Sequence, residues 1–377
     1  MGDVDGLTGS EVPPTAIDAF RFDGPPIGIR RLSGGHIHGN FLVTCSGGRY
    51  VLQRLNDRVF PDVGIVLSNV ERVVAHLAAG GRRYPSLVET QVGGLSHREA
   101  DASVWRSFHY LEGTVGRAAL RGTADAFGAA RAFADYVLAL ADLPGPPLVE
   151  TIERFHGLHH RLAALDAVAA ADPVGRRSGV RRQLARAGRV GQEVVEALPT
   201  GGGALPVRTV HNDAKLSNVR FDAQTGSATC VVDFDTTMAG HVHYDVGELV
   251  RTATTHAPED ARDEAEVDFD LEMLDALASG YFAARPQLER SEADTLALAG
   301  PLMAAENAVR FLTDHLEGDR YFAVDRPSQN LDRCRTQLRL TELMLASHAD
   351  AAACFDRAAR LSPAGGPPPV GPTEDRP

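Results

Sequence analysis

The chain has 377 residues, 44% hydrophobic and 23% charged, with 38 Lys and Arg against 50 Asp and Glu for a formal charge of −12. That length and composition suit one bilobal unit or two to three domain-sized ones, with a core that needs no disulfide or structural metal. The acidic balance argues against a nucleic-acid partner, and Cys45, Cys230, Cys334 and Cys354 are too scattered for a zinc or thiol redox motif.

The start, Met1-Gly2-Asp3-Val4-Asp5, lacks the basic and apolar regions of a signal peptide, and no apolar run is long enough to span a bilayer. Cytoplasmic residence and no membrane partner are expected. Residues 1–16 mix Gly, Pro, Asp and Thr without periodicity and read as a mobile arm. β-type runs follow at Ile27–Leu32, Asn40–Cys45 and Arg49–Leu55, with turns at Ser33–Gly39 and Ser46-Gly47-Gly48. Val63 to Ala79 carries Val66, Val70, Val73, Val74 and Leu77 at helical spacing. Two more strands are expected at Ser86–Val92 and Val104–Leu111. Residues 17–112 thus read as a small antiparallel sheet with one helix.

Over residues 113–360 helices dominate: Ala124–Leu140, Ile152–Ala170, Gly179–Ala197, Glu264–Phe282, Glu292–His315 and Leu331–Ala346. A strand-loop-strand region over Val207–Asp235 interrupts them. Residues 361–377 are rich in Pro and Gly and read as a disordered tail. The fold class is α+β.

The densest chemistry lies in His211-Asn212-Asp213-Ala214-Lys215-Leu216-Ser217-Asn218, followed by Val231-Val232-Asp233-Phe234-Asp235 at the end of an apolar strand. Phosphoryl transfer needs an in-line acceptor oxygen and cations on the β- and γ-phosphates. Asp213 is the candidate catalytic base for the acceptor hydroxyl. Magnesium takes hard oxygen ligands, often one or two carboxylates with phosphates and water. Asn218 and Asp233 are its candidate ligands, and Asp235 could bridge a second ion. Upstream, Gly34, Gly35, His36, Gly39 and Asn40 form a glycine turn whose N–H groups could approach phosphate oxygens. A plain hairpin turn would read the same way.

The order of glycine turn, third strand, helix, linker strand, H-x-D-x-x-x-x-N and D-x-D resembles the kinase-like aminoglycoside phosphotransferase superfamily over nearly the whole chain. Asn212 stands where protein kinases carry Arg, and no A-P-E segment follows Asp233, so no protein substrate is expected. Within the superfamily the resemblance is greatest to the N-acetylhexosamine 1-kinases. It rests on Tyr50–Asn56, His211–Asn218, Asp233–Gly240, Tyr244-Asp245-Val246-Gly247 and Arg310–Leu316, continuing through Gly318–Phe322 to Asn330–Arg333.

This resemblance implies a protein-kinase-like bilobal fold, ATP and Mg as cofactors, and the anomeric hydroxyl of an N-acetylhexosamine or related hexose as acceptor. Asp213, Asn218, Arg310 and Tyr321 would bind the sugar. Phe108 and Tyr110 would lie in the linker that holds adenine. The third strand of such kinases offers a Lys paired with a helix Glu. Here Gln53 and Arg54 occupy that place, with Glu71 as the candidate helix partner. Arg310 has a plainer reading, a surface ion pair with Glu306 one helical turn earlier. Asp245 reads as a structural acid bonding the 211–218 loop. The rivals are an aminoglycoside or amino-alcohol kinase, which would want an acidic acceptor pocket, and a non-catalytic nucleotide-binding protein, suggested only by Gln53.

Overall fold

The computed structural model describes residues 11–32, 37–117, 119–199 and 204–361. A short helix α1 (Pro14–Asp18) opens it, and Val12, Ala16 and Phe20 are buried against the sheet that follows. The last residues of the expected mobile arm are thus anchored, because their apolar side chains cover the sheet's outer face.

Strands β1 (Pro26–Arg31), β2 (Gly39–Cys45), β3 (Arg49–Arg54), β4 (His97–Arg98) and β5 (Val104–His109) form an antiparallel sheet in the order β1-β2-β3-β5-β4. The strand expected at Ser86–Val92 is an extended segment with isolated bridges, Leu87 to Phe108 and Thr90 to Phe20; β4 takes the edge position instead. Helix α2 (Val63–Ala79) begins where Asp62 accepts the Ile65 N–H at 3.2 Å. Its valine stripe, with Leu77, is buried in a core continuous with the larger lobe.

After the linker 110–113 come β6 (Thr114–Val115), α3 (Thr123–Ala139), α4 (Leu158–Ala171) and α5 (Arg181–Ala197). Next are β7 (Arg208–Val210), β8 (Val219–Asp222), β9 (Ala228–Val231) and β10 (Met238–Gly240), with β6-β8-β9 and β7-β10 as small antiparallel sheets. The remaining helices are α6 (Val242–Ala253), α7 (Leu271–Ala283), α8 (Arg290–Ala293), α9 (Ala299–Glu317), α10 (Gln329–Ala346) and α11 (His348–Leu361). The result is the expected bilobal α+β architecture, a small sheet lobe on a larger helical one.

Helix α4 starts six residues later than its periodicity suggested, at Leu158 rather than Ile152. Arg154 (φ 50°) and Gly157 (φ 143°) break the backbone before it and leave residues 152–157 as a loop. Helix α6 crosses α9 at close range. A Cβ on Gly247 would lie 2.1 Å from the Ala299 carbonyl oxygen, so only glycine permits this approach. Among the described residues no helix is long and apolar enough to cross a membrane.

Candidate functional site

The loop 211–218 leaves β7 and is held by α6. Asp245 accepts the N–H groups of His211 at 2.9 Å and Asn212 at 2.7 Å, the structural role read from the sequence. Its burial and these two donors let Asn212 adopt φ 63°. The His211 ring packs edge-on against Phe133 and Tyr136, and its Nε2 donates to the Val232 carbonyl at 3.0 Å.

Asp213 then projects toward the cleft between the lobes. Its Oδ2 receives the Asn218 amide at 3.1 Å and the Lys215 ammonium at 2.7 Å, which leaves Oδ1 free of partners among the described residues. Burial works against the charge of Lys215, but Asp213 and then Asp233 outweigh it and raise its pKa. Because Asn218 spends its NH2 on Asp213, its amide oxygen is the end left for another ligand.

Asp233 stands at φ 71° where β9 turns into the segment 234–236. Its side chain reaches solvent at the cleft mouth yet is ringed by protein. That surround, then Asp235, then Asp213 push its carboxyl pKa upward. An acid without a hydrogen-bond partner among the described residues, held near two other carboxylates and an amide oxygen, suits a hard divalent cation. Asp233 and Asn218 are the groups that could hold it.

Asp235 faces the other way. Both of its oxygens are engaged by the Arg106 guanidinium, at 2.6 and 2.8 Å, and Oδ2 also meets His38 Nε2. His38 Nδ1 accepts the Asn56 N–H at 3.1 Å, so the ring's proton sits on Nε2 and points at the acid. Burial would raise the Asp235 pKa; Arg106 and His38 reverse this and hold it well below the usual carboxylate range. With both oxygens engaged, Asp235 is not turned toward a second ion beside Asp233.

Arg106 itself comes from β5, in a row across three strands. Asn40 stands opposite Gln53, and Gln53 opposite Arg106. The row is hydrogen-bonded throughout: Gln53 donates to Asn40 at 2.8 Å and accepts from Arg106 Nε at 2.8 Å. Arg54 lies on the opposite face, half-exposed and 3.7 Å from Asp101, away from this row. Glu71 is exposed on α2 and makes no ion pair among the described residues. With no lysine on β3, nothing draws it inward. Gly39 sits beside Asn40 at the start of β2, while Gly34, Gly35 and His36 lie outside the described residues.

Phe108, expected in the linker, lies on β5 and is buried beside Arg106, while Tyr110 in the linker stacks under Arg49 at 4.4 Å. The Leu111 N–H has no partner among the described residues.

On the opposite side of the 211–218 loop, His156 Nε2 donates to the Asn212 carbonyl at 2.7 Å and Nδ1 meets Glu306 at 2.8 Å. Glu306 also accepts the Gly157 N–H at 2.8 Å. The plainer reading of Arg310, an ion pair with Glu306, is not found among the described residues. Arg310 instead lies 5.5, 5.9 and 5.4 Å from the ring centres of Phe155, Tyr321 and Phe322. It has no hydrogen bond or ion pair among the described residues. The segment carrying Tyr321 is fixed by buried Asp314, which accepts the N–H groups of Arg320, Tyr321 and Phe322 at 2.8, 2.8 and 3.0 Å. Asn330 braces Asp314 at 2.9 Å, which accounts for the run from Arg310 to Asn330 as one structural unit.

Sequence reasoning missed Arg106, Lys215, His156 and Glu306. Lys215 was within reach, two residues beyond Asp213. The Glu306–His156 contact joins residues 150 positions apart and has no local signal.

The sequence profile of the phosphotransferase enzyme family (APH) matches residues 28–291. An aminoglycoside phosphotransferase from Alicyclobacillus acidocaldarius is 16% identical with a TM-score of 0.56, over 93% of this chain and 97% of its own. Amicoumacin kinase, solved with AMP-PNP, Ca2+ and amicoumacin, is 15% identical with a TM-score of 0.58, over 86% of this chain and 91% of its own. A microcompartment-associated aminopropanol kinase is 14% identical with a TM-score of 0.56, over 90% and 97%. These likenesses show the fold.

Proposed function

The chain belongs to the phosphotransferase enzyme family, and on that premise we propose that it is an ATP-dependent sugar 1-kinase acting on an N-acetylhexosamine or related hexose. The observation that carries the acceptor reading is Arg310. A surface arginine would pair with Glu306 one turn away; this one is half-buried among three aromatic rings with no hydrogen bond or ion pair among the described residues. It stands two side chains from the loop of Asp213, through Phe155 and His156, whose rings are 4.5 Å apart. Fixed guanidinium donors beside aromatic faces match an oxygen-rich ring.

In this reading Asp213 Oδ1 accepts the proton of the anomeric hydroxyl as that oxygen bonds to the γ-phosphorus and the bridging oxygen leaves with ADP. Asn218 and Lys215 hold the other oxygen and fix the carboxylate's orientation. Two of the three Lys215 N–H groups remain to meet the phosphoryl oxygens. Magnesium, bound through Asp233 and Asn218, would neutralise phosphate charge. The Leu111 N–H is the adenine donor.

The test combines product and variant. Phosphate should appear on the anomeric oxygen, seen as loss of reducing-end reactivity and phosphorus coupling to the anomeric proton. Arg310→Ala should raise the sugar KM by roughly 10- to 100-fold with ATP binding spared, the cost of a charged hydrogen bond. Phosphate on a 6-hydroxyl, or turnover only with aminoglycosides or amino alcohols, would refute the 1-kinase reading and leave the family assignment standing.

A further inference from the structure

The wall that carries Arg310 holds a second arginine, one without any local sequence signal. Arg161, in the first turn of α4, donates Nη2 to the carbonyls of Arg154 at 3.1 Å and Phe155 at 2.7 Å. It therefore braces the same loop whose Phe155 ring lies against Arg310. Its Nε is buried and has no hydrogen-bond partner among the described residues. No carboxylate contacts either guanidinium among the described residues. The one acid close to both, Glu306, is already committed to His156 and Gly157. Burial, and next the Arg310 charge, depress the pKa of Arg161; the opposing charge of Glu306 offsets this only in part.

Two half-buried guanidiniums set against one loop, each with N–H groups that no described residue accepts, are unfavourable unless an acceptor from outside meets them. An ammonium there would add a third positive charge. A carbonyl or carboxylate oxygen, which only accepts hydrogen bonds, would satisfy the free donors of both side chains.

We propose that Arg161 and Arg310 together receive an acceptor-only oxygen on the sugar, from an N-acyl carbonyl or a uronate carboxylate, and that the pair excludes cationic acceptors. This rests on the sugar-kinase reading above and narrows it. The rival amino-alcohol and aminoglycoside acceptors carry the wrong charge for this wall.

The experiment measures KM for N-acetylglucosamine, glucuronate, glucose and glucosamine, the last assayed below its amine pKa, with wild type, Arg161→Gln and Arg161→Lys. AMP-PNP affinity is followed in parallel as the check that each variant is folded. In wild type, N-acetylglucosamine, glucuronate or both should bind at least about tenfold better than glucosamine, the worth of one charged hydrogen bond. Which of the two is preferred identifies the oxygen's source. Arg161→Gln should erase most of that margin over glucosamine. Arg161→Lys, which keeps the charge and loses the fork, should restore the rejection of glucosamine but not the full gain. If hexoses are turned over but glucosamine binds as well as N-acetylglucosamine and glucuronate, the proposal falls and the sugar-kinase reading stands. An equal shift of all four sugars in Arg161→Gln would overturn the proposal in the same way. If no hexose is accepted and a cationic acceptor is, both fall.

Discussion

Arg106 joins the N-lobe sheet to the turn carrying Asp233 and Asp235, and its removal makes a quantitative test. The two side chains are 1% and 3% exposed and share two hydrogen bonds of 2.6 and 2.8 Å. Arg106→Met keeps the length and the packing near Phe108 but leaves a buried carboxylate with His38 as its remaining side-chain partner. Breaking a buried pair from one side costs about 3–5 kcal/mol. An unfolding entropy of about 2.1 cal/mol/K per residue gives roughly 0.8 kcal/mol/K for a chain of this length. The expected drop in Tm is therefore about 4–6 °C, read by differential scanning fluorimetry or calorimetry. Arg106→Met with Asp235→Leu removes both charges and should recover a good part of the loss, since a buried pair replaced by apolar groups is often neutral. A single variant within about 1 °C of wild type, or a double variant as damaged as the sum of the singles, would refute the claim that this pair bolts the lobes together.

Asp213→Asn should lower kcat by about 10²–10⁴-fold with nucleotide Kd nearly unchanged, because the side chain faces the acceptor; near-normal turnover would remove it as the base. Asp233→Ala should abolish magnesium-dependent AMP-PNP binding in titration calorimetry, whereas unaltered binding would exclude it as the metal's anchor. His243 is buried with Nδ1 unpartnered, and burial, then His241, lower its pKa from 6.5 to about 4. The unfolded chain therefore takes up this proton as pH falls through 6.5 while the folded chain does so only near 4, so stability declines across that window and is unaffected above it. The loss reaches roughly 3 kcal/mol, and His243→Gln should flatten the urea-midpoint profile between those pH values; an unchanged slope would contradict it.

The legible parts of this molecule are those whose chemistry is local in sequence. His211 to Asn218 and Asp233 could be read because one loop and one strand end carry them. The α2 stripe could be read because helical periodicity is local too. Arg106 could not: within the run Val104–Leu111 it looks like any strand residue, and its partner lies 129 positions on. The role expected of Asp235 changed for the same reason. Gly157 was the available warning that the helix expected from Ile152 begins later, and that later start frees Phe155 and His156 for the site. Strand alternation puts Gln53 and Arg54 on opposite faces, yet only the sheet register revealed that Gln53 accepts a hydrogen bond from an arginine on β5.

The close crossing at Gly247 has an evolutionary consequence. Two residues before it, Asp245 sets the loop of Asp213; across the crossing, α9 carries Glu306 and Arg310. With no side chain between them, the two helices have little freedom to slide, so the crossing itself fixes the spacing between the 211–218 loop and the face of α9 that carries Glu306 and Arg310. Tyr321 and Phe322, by contrast, hang on backbone N–H bonds to Asp314, which any residue but proline can supply. Descendants of this scaffold can thus exchange the side chains at 321 and 322 while the helix crossing stays the same.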